Sequence, residues 1–185
     1  MQEQSSSSNS ATPVPSVRPR LWALLREDSR HYRSWFVSPG FHAMVMYRLG
    51  RWAIDGPVYR KPVLWLARAL HVFVRNIYGI ELYPDADIGR RFVISRQGSI
   101  VIHQYCTIGD DCSIRQGATI GAADFFDRQL APVIGNNVRI DVGAVIMGKV
   151  SIGNNVLIDA NAVVGTDVPD NSKVLAPASR VISWG

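Results

Sequence analysis

Histidine is the side chain best suited to take up a proton near neutral pH. This 185-residue chain has four, His31, His42, His71 and His103, and only His103 follows residue 80. It comes directly after Ile102, an inward position of the repeat described below, so we expect its side chain to point outward. His103 is therefore a candidate general base. The alternative interpretation is an ordinary histidine at a surface or subunit interface.

Other kinds of chemistry find less support in the residue pattern. Zinc sites need several His or Cys ligands, and the region around His103 has no second histidine and no cysteines at ligand spacing, so we expect no metal. Cys106 and Cys112 are six residues apart and are expected to pack as small apolar groups, which fits a reducing cytoplasm. No glycine-rich phosphate loop and no nucleophile elbow is present. Direct transfer between two bound substrates fits better than covalent catalysis.

A six-residue repeat positions these groups. β-branched aliphatic residues recur, nearly always at intervals of six, at Ile88, Ile94, Ile102, Ile108, Ile114, Ile120, Ile134, Ile140, Ile146, Ile152, Ile158 and Val164. No α-helix places every sixth residue on one face, whereas three short strands per coil stack equivalent residues eighteen apart. Ile-Gly-Asn-Asn-Val occurs at 134–138 and again at 152–156, so both segments should turn the same corner one coil apart. The repeat predicts a mainly β fold, a parallel β-helix.

Two steps break the spacing. Ile94 to Ile102 and Ile120 to Ile134 each contain two residues beyond a multiple of six. Extra residues in a regular wall must bulge outward, and such loops often carry function. We therefore expect functional residues near 95–99 and in the loop 121–132.

The N-terminal part differs in texture. We predict helices beginning at Leu21, from about Phe41 to Ile54, and from about Pro62 to Tyr78. The apolar run in the third helix is too short to span a bilayer. Its Trp65, Phe73, Arg60, Lys61, Arg68 and Arg75 could support contact with a membrane surface. Packing on neighbouring helices and on a partner subunit is the interpretation that we favour.

These observations divide the chain into four segments. They are a disordered tail (1–18), an α-helical subdomain (19–78), a β-helix domain (79–170) and a closing tail (171–185). The N-terminal segment has no cationic start followed by an apolar stretch, so we do not predict a secretory signal there. The formal net charge is +5, but basic residues are scattered and do not interleave with aromatics, so nucleic acid is not the expected partner.

With the repeat established, the chain resembles the hexapeptide acyltransferases, and among them the serine O-acetyltransferases. Residues 40–43 and 47–52 resemble that family's GFHA…YRIGHW helix, and residues 26–28 resemble the acidic stretch before it. Residues 81–84 resemble its DIHP entry into the β-helix. The stretch 98–103 is closer still to the exopolysaccharide-cluster members of the group.

The resemblance implies a left-handed β-helix, a homotrimer that can pair into a dimer of trimers, and acetyl-CoA bound as co-substrate between neighbouring coils. Its acceptor would be serine or a sugar hydroxyl of a polysaccharide precursor, and the pantetheine arm would bond to backbone amides. The implied cofactor-binding residues are Val142, Gly143, Lys149, Leu157 and Ala160. Arg139 and Lys173 join Lys149, on charge alone, as candidate neighbours of the cofactor's phosphates.

The chain departs from the family at the residues that act on the proton. The family's catalytic histidine and the aspartate before it are Arg96 and Ser95 here, and a second histidine is Ala131. The carboxylate that orients the base corresponds to Glu81. An arginine stays protonated and cannot be an ordinary general base.

Two interpretations stay open. In one, His103 replaces the lost base, Glu81 orients it, and Arg96 contacts the acceptor or an oxyanion. Asp28, Ser95 and Arg128 are then the candidate acceptor-binding residues. In the other, the chain keeps the scaffold without the chemistry and acts as a trimeric binding or assembly protein.

Overall fold

The computed structural model describes residues 20–32, 36–121 and 130–178. Three helices come first: α1 (Leu21–Arg30), α2 (Pro39–Ile54) and α3 (Lys61–Phe73). A 3₁₀ turn (Val58–Arg60) precedes α3, and a π-helical turn (Val74–Tyr78) follows it and ends at the left-handed Gly79. The predicted tail 1–18 lies outside the described residues. Among those described, no helix combines the length and apolarity needed to cross a bilayer.

Fourteen short strands follow in the described part of the chain. They are β1 (Ile80–Leu82), β2 (Asp87–Ile88), β3 (Val93–Ile94), β4 (Ile100–Ile102), β5 (Thr107–Ile108), β6 (Ser113–Ile114), β7 (Thr119–Gly121), β8 (Val133–Ile134), β9 (Arg139–Ile140), β10 (Val145–Met147), β11 (Ser151–Ile152), β12 (Leu157–Ile158), β13 (Val163–Val164) and β14 (Lys173–Val174).

Strands three apart in the chain pair in parallel, except that the last strand, β14, pairs with β12, and this gives three sheets. The first sheet is β1-β4-β7-β10-β13, the second β2-β5-β8-β11, and the third β3-β6-β9-β12-β14. The chain turns a corner each time it passes between sheets, and we name the corners 1–2, 2–3 and 3–1 after the sheets they join. This arrangement confirms the predicted parallel β-helix.

The register places the two irregular steps. Regular coils pair residues eighteen apart, as in Val145 with Val163. Strands β1 and β4 pair Ile80 with Ile100, two residues more, so the first bulge adds two residues at the 3–1 corner. Strands β7 and β10 pair Thr119 with Val145, eight residues more, so the second loop leaves the 1–2 corner. Residues 122–129 of that loop lie outside the described residues.

The core is a column of aliphatic side chains inside the coils. Each residue of the repeat from Ile88 to Val164 is buried, and Cys106 and Cys112 are buried between them as free thiols. Burial raises the pKa of Cys106 to about 12 and that of Cys112 to about 11. Both therefore behave as small apolar groups.

The 2–3 corner is built by asparagine and aspartate. Asn137, Asn155 and Asn171 adopt positive φ one coil apart, which asparagine tolerates better than most residues. Gly135 precedes this corner for another reason: a Cβ there would lie 2.8 Å from the backbone carbon of Gly153 in the next coil. The two Ile-Gly-Asn-Asn-Val segments thus turn the same corner, with asparagine taking the left-handed position.

The β-helix also runs further than predicted. Lys173 and Val174 of β14 pair with Leu157 and Ile158 of β12, sixteen residues earlier. The third sheet therefore gains a strand beyond residue 170, because the turn at 169–171 continues the 2–3 corner instead of ending the repeat.

The helices close the first coil. Gly40 of α2 lies so near β3 that a Cβ there would meet the Ile94 carbonyl oxygen at 2.2 Å. The Tyr47 hydroxyl donates to the Ala86 carbonyl (3.0 Å) and accepts from the Ile88 amide (3.0 Å). The Ile94 amide donates to the Tyr32 hydroxyl (2.9 Å). Side chains of the N-terminal segment thereby satisfy backbone groups on the open edge of the β-helix, which every solenoid end requires.

Candidate functional site

His103 lies at the 1–2 corner directly after β4, but its side chain is not on the surface. It is only 6% exposed, and its ring lies 5.4 Å from that of Tyr105. The pairing of Leu82 with Ile102 and of Ile102 with Ile120 puts His103 between Tyr83 and Gly121 of the adjoining coils. In the single chain this candidate base is therefore buried, because these neighbours cover the corner.

Glu81 lies on β1, on the outer face of the first sheet, and is half-buried. The Tyr83 hydroxyl donates a short hydrogen bond to Glu81 Oε1. Burial, followed by the bond to Glu81, raises the pKa of Tyr83. The carboxylate that the family resemblance assigns to orienting a base thus has a tyrosine as its bound partner.

His71 of α3 joins this group, which the sequence reasoning missed. Its ring centroid lies 5.1 Å from that of Tyr83, and the side chain is buried. Burial is the main cause that lowers the pKa of His71, aided by the Arg75 charge, while Glu81 acts in the opposite direction. Helical spacing could have signalled it, because His71 shares a face with the buried Ala67 and Val74.

Arg96 and Ser95 occupy the first bulge, at the 3–1 corner, and both are exposed. Arg96 and His103 lie beyond opposite ends of β4, so the three-residue strand, about 10 Å long, separates their backbones. One chain does not bring these two predicted catalytic residues together.

The second loop is described only at its edges. Ala131, in place of the second family histidine, is buried beside Pro132. Arg128, predicted to bind the acceptor, lies outside the described residues.

Asp28 is held in an ion pair. Its Oδ2 accepts from Arg48 Nε at 3.0 Å, and the residue is 1% exposed. Arg48 also donates to the Ile88 carbonyl (2.9 Å) and the Gly89 carbonyl (2.6 Å). The expectation that Asp28 presents itself to an acceptor is not met in this chain, because the carboxylate holds the arginine that closes the first coil.

The predicted cofactor residues divide between two corners. Val142, Gly143 and Ala160 lie together at the 3–1 corner, where the Asn161 amide donates to the Val142 carbonyl (2.8 Å). Lys149 is exposed at the 1–2 corner, across the first sheet. Leu157 lies on the outer face of the third sheet, between Arg139 on β9 and Lys173 on β14.

The amides at these positions already have partners. Val142 donates to Asp141 Oδ1 (2.9 Å), and Ala160 donates to Asp159 Oδ1 (3.2 Å). Gly143 donates to the Gln116 carbonyl (3.0 Å), and Leu157 to the Ser172 carbonyl (3.0 Å). Backbone-amide binding of a pantetheine arm is therefore not supported here, because stacking of the coils and the adjacent aspartates use these donors.

The third sheet carries a basic strip instead. Arg139 and Lys173 are exposed and flank Leu157, about 10 Å apart across two strand spacings. Lys173 Nζ lies 3.5 Å from Asp159 Oδ2, an exposed pair that holds the ammonium near the 3–1 corner only weakly. This surface places positive charge beside the corner that holds Val142, Gly143 and Ala160.

The class of protein follows from similarity to known families and structures. Residues 131–166 match the family model for bacterial transferase hexapeptide (six repeats). The solved soybean serine acetyltransferase apoenzyme has a TM-score of 0.74 and 26% identity, over 89% of this chain and 70% of that one. A serine acetyltransferase solved in complex with CoA has a TM-score of 0.72 and 24% identity, over 89% and 71% of the two chains, which shows the shared fold. The protein is a hexapeptide-repeat acyltransferase.

The family follows from a closer relative. The serine acetyltransferase of Helicobacter pylori is 35% identical over 135 residues, which cover 71% of this chain and 76% of that enzyme. The chain belongs to the serine acetyltransferase family.

Proposed function

We propose that the protein is an acetyl-CoA-dependent O-acetyltransferase that acts on the hydroxyl of serine or of a sugar in a polysaccharide precursor. The observation that carries the proposal is the relationship to the Helicobacter pylori serine acetyltransferase over three quarters of that enzyme. The CoA-bound serine acetyltransferase of the same fold supports acetyl-CoA as the donor. The basic strip of Arg139 and Lys173 supplies charge that suits the phosphates of CoA. The buried free thiols suit a reducing cytoplasm.

The placement of the candidate residues favours a homotrimer. Arg96, Val142 and Ala160 lie at the 3–1 corner, whereas His103 and Lys149 lie at the 1–2 corner. These residues can share one site only where the 3–1 corner of one protomer meets the 1–2 corner of the next. A closed ring of three prisms provides three such grooves.

His103 is the proposed base within such a groove. It would take the proton of the acceptor hydroxyl while that oxygen attacks the thioester carbon. The thioester C–S bond then breaks, and CoA leaves as its thiolate, which takes the proton from His103. Arg96 of the neighbouring protomer would face the developing oxyanion, a role that its permanent charge suits. Glu81, held by Tyr83, would stabilise the imidazolium as a positioning residue.

A non-catalytic trimer is the second candidate. It is favoured by the replacement of the two family histidines by Arg96 and Ala131 and by the near-complete burial of His103. In that case the protein would bind CoA or a relative's subunit without transfer.

Thiol release from acetyl-CoA separates the two. The full chain is assayed with L-serine and with a panel of sugar hydroxyl acceptors. A catalytic trimer is expected to release thiol with at least one acceptor, and His103→Gln should lower kcat by about 10²- to 10⁴-fold. His31→Gln, at the exposed histidine directly after α1, is the matched control. Absence of turnover with every acceptor, together with CoA binding by calorimetry, would favour the scaffold.

Binding is tested separately from turnover. Arg139→Gln with Lys173→Gln should weaken CoA binding at least tenfold and leave the trimer mass unchanged in light scattering. The control variant Arg26→Gln on α1 should change neither CoA binding nor the mass. A monomeric mass would contradict the assignment of the groove.

A further inference from the structure

We propose that the outer face of α3 docks onto an anionic membrane surface. We call this surface the α3 outer face; its exposed apolar side chains are Trp65, Leu66, Leu70, Val72, Phe73 and Ile77. Trp65 is 68% exposed and Ile77 is 62% exposed, although both belong to an ordered helical stretch that packs its other side on α2 and β1. A contiguous apolar face of this kind on a surface helix marks an interaction site.

Helical geometry places a basic stripe along this face. Lys61, Arg68 and Arg75 are seven residues apart and exposed, so they align two turns apart on one side of the apolar arc. Arg68 lies over the Trp65 ring at 5.7 Å, which keeps the cation next to the aromatic side chain. From Gly56 to Ile80 the sequence contains no Asp or Glu. Cations beside a broad aromatic and aliphatic face are the pattern of helices that lie in a membrane interface.

A groove between α2 and α3 continues the apolar surface inward. It has a volume of about 430 Å³, and Leu70 and Phe73 line both the groove and the α3 outer face. Val45 and Met46 of α2 form part of its other wall. The combined surface offers depth for an acyl chain as well as area for a headgroup layer.

The charge pattern argues against a second copy of the chain as occupant. A two-fold contact through this face would place like-charged stripes close together without an acidic side chain on the face to pair with them. A protein partner is also disfavoured, because protein interfaces carry about one hydrogen bond per 100–200 Å². Asn76 is the only uncharged polar side chain between Ala67 and Ile77 apart from the buried His71.

Vesicle co-sedimentation of the full chain tests the proposal. Vesicles of phosphatidylcholine with one-third phosphatidylglycerol should bind the protein, and pure phosphatidylcholine should bind it at least tenfold more weakly. Replacing Lys61, Arg68 and Arg75 with Gln should weaken binding on the order of tenfold to a hundredfold, and raised salt should do the same to the wild type. Trp65→Ser should also weaken binding, whereas Trp22→Ser on α1, a tryptophan at least as exposed, should not.

Three results would overturn the inference. The first is a failure of the wild type to bind anionic vesicles. The second is equal loss of binding in Trp22→Ser and Trp65→Ser. The third is an oligomer of the wild type in lipid-free solution that Trp65→Ser dissociates, which would make the face a self-association surface. Circular dichroism verifies that each variant is folded, and the thiol-release assay is independent of all three results.

Discussion

The first coil and the later coils of the β-helix are stabilised in different ways. In the later coils, neighbouring coils satisfy one another, through backbone ladders and through corner side chains such as Asn136 and Asn154. The first coil has no coil before it. Its partners are Tyr47 and Arg48 of α2 and Tyr32, which follows the end of α1.

The difference shows where sequence changes are tolerated. A repeating coil distributes its stability over many similar contacts, as in other solenoids. The closed end depends on a few polar groups that have no duplicate elsewhere in the described chain. Gly40, Tyr47 and Arg48, which belong to the helix that resembles the family's, therefore stabilise the closed end.

The largest expected effect is at the closed end. Arg48→Met should lower the free energy of unfolding by about 3–5 kcal/mol, because Asp28 is left as a buried carboxylate without its cation. Adding Asp28→Leu should restore part of the loss, since the buried charge is then removed as well. Urea unfolding of both variants measures this, and simple addition of the two costs would contradict the ion-pair explanation.

At the repeating corner the expected effect is smaller. Asn155→Ala should cost about 1–2 kcal/mol, because the residue has a φ of 56° that alanine adopts poorly. Asn155→Gly should avoid the steric part of this cost and lose mainly the hydrogen bonds to Asn137 and Asn171. Thermal unfolding ranks the two variants, and a less stable glycine variant would count against the backbone explanation.

Within the core, one methylene should matter about equally in every coil. Ile114→Val and Ile158→Val should each cost about 0.5–1.5 kcal/mol, because both side chains are fully buried in similar surroundings. Their two values should agree within about 0.5 kcal/mol and add in the double variant, since the residues are two coils apart. Denaturant titration tests this, and strong coupling between them would mean that the coils are not equivalent.

The smallest effect concerns the partly exposed ion pair between Glu27 of α1 and Arg90 of the first coil. Arg90 donates to Glu27 at 2.8 and 3.0 Å, and this bond is the main cause that lowers the pKa of Glu27. A lowered pKa means that the stabilisation is present above the ordinary pKa of glutamate and is lost as the pH falls through the lowered value. Arg90→Gln should therefore cost under about 1 kcal/mol at pH 7, and the deficit should shrink between pH 5 and pH 3.

Unfolding curves at several pH values measure this difference. Arg26→Gln on α1, next to Glu27, is the control and should show no such pH trend. A deficit for Arg90→Gln that persists at pH 3 would exclude the Glu27 pair as its source.

The coils were predictable because their cause is local and periodic. The six-residue spacing from Ile88 to Val164 predicts the three sheets, and the two irregular steps predict where the register shifts. The start of α3 follows from Pro62, which favours the first turn of a helix. Helix α2 begins at Pro39, two residues before the predicted Phe41.

The candidate site was less predictable because it depends on contacts between distant segments. Periodicity predicts that His103 follows an inward residue. It does not predict that Tyr105 of the same corner and Tyr83 of the adjoining coil bury its side chain. The partnership of Asp28 with Arg48 joins two helices across 20 residues of sequence. The approach of His71 to Tyr83 likewise depends on how α3 packs on the first coil.

The corner side chains at 110, 136, 154 and 170 all accept in the same sense. Each Oδ1 takes the amide of the coil before it: Arg90 donates to Asp110, Asp110 to Asn136, Asn136 to Asn154, and Asn154 to Asp170. Loss of one of these side chains therefore affects the preceding coil, because the amide that loses its acceptor belongs to that coil. Asn154→Ala should therefore speed deuterium exchange first at the Asn136 amide, eighteen residues toward the N terminus. The effect of a lost corner side chain thus spreads in one direction along the β-helix.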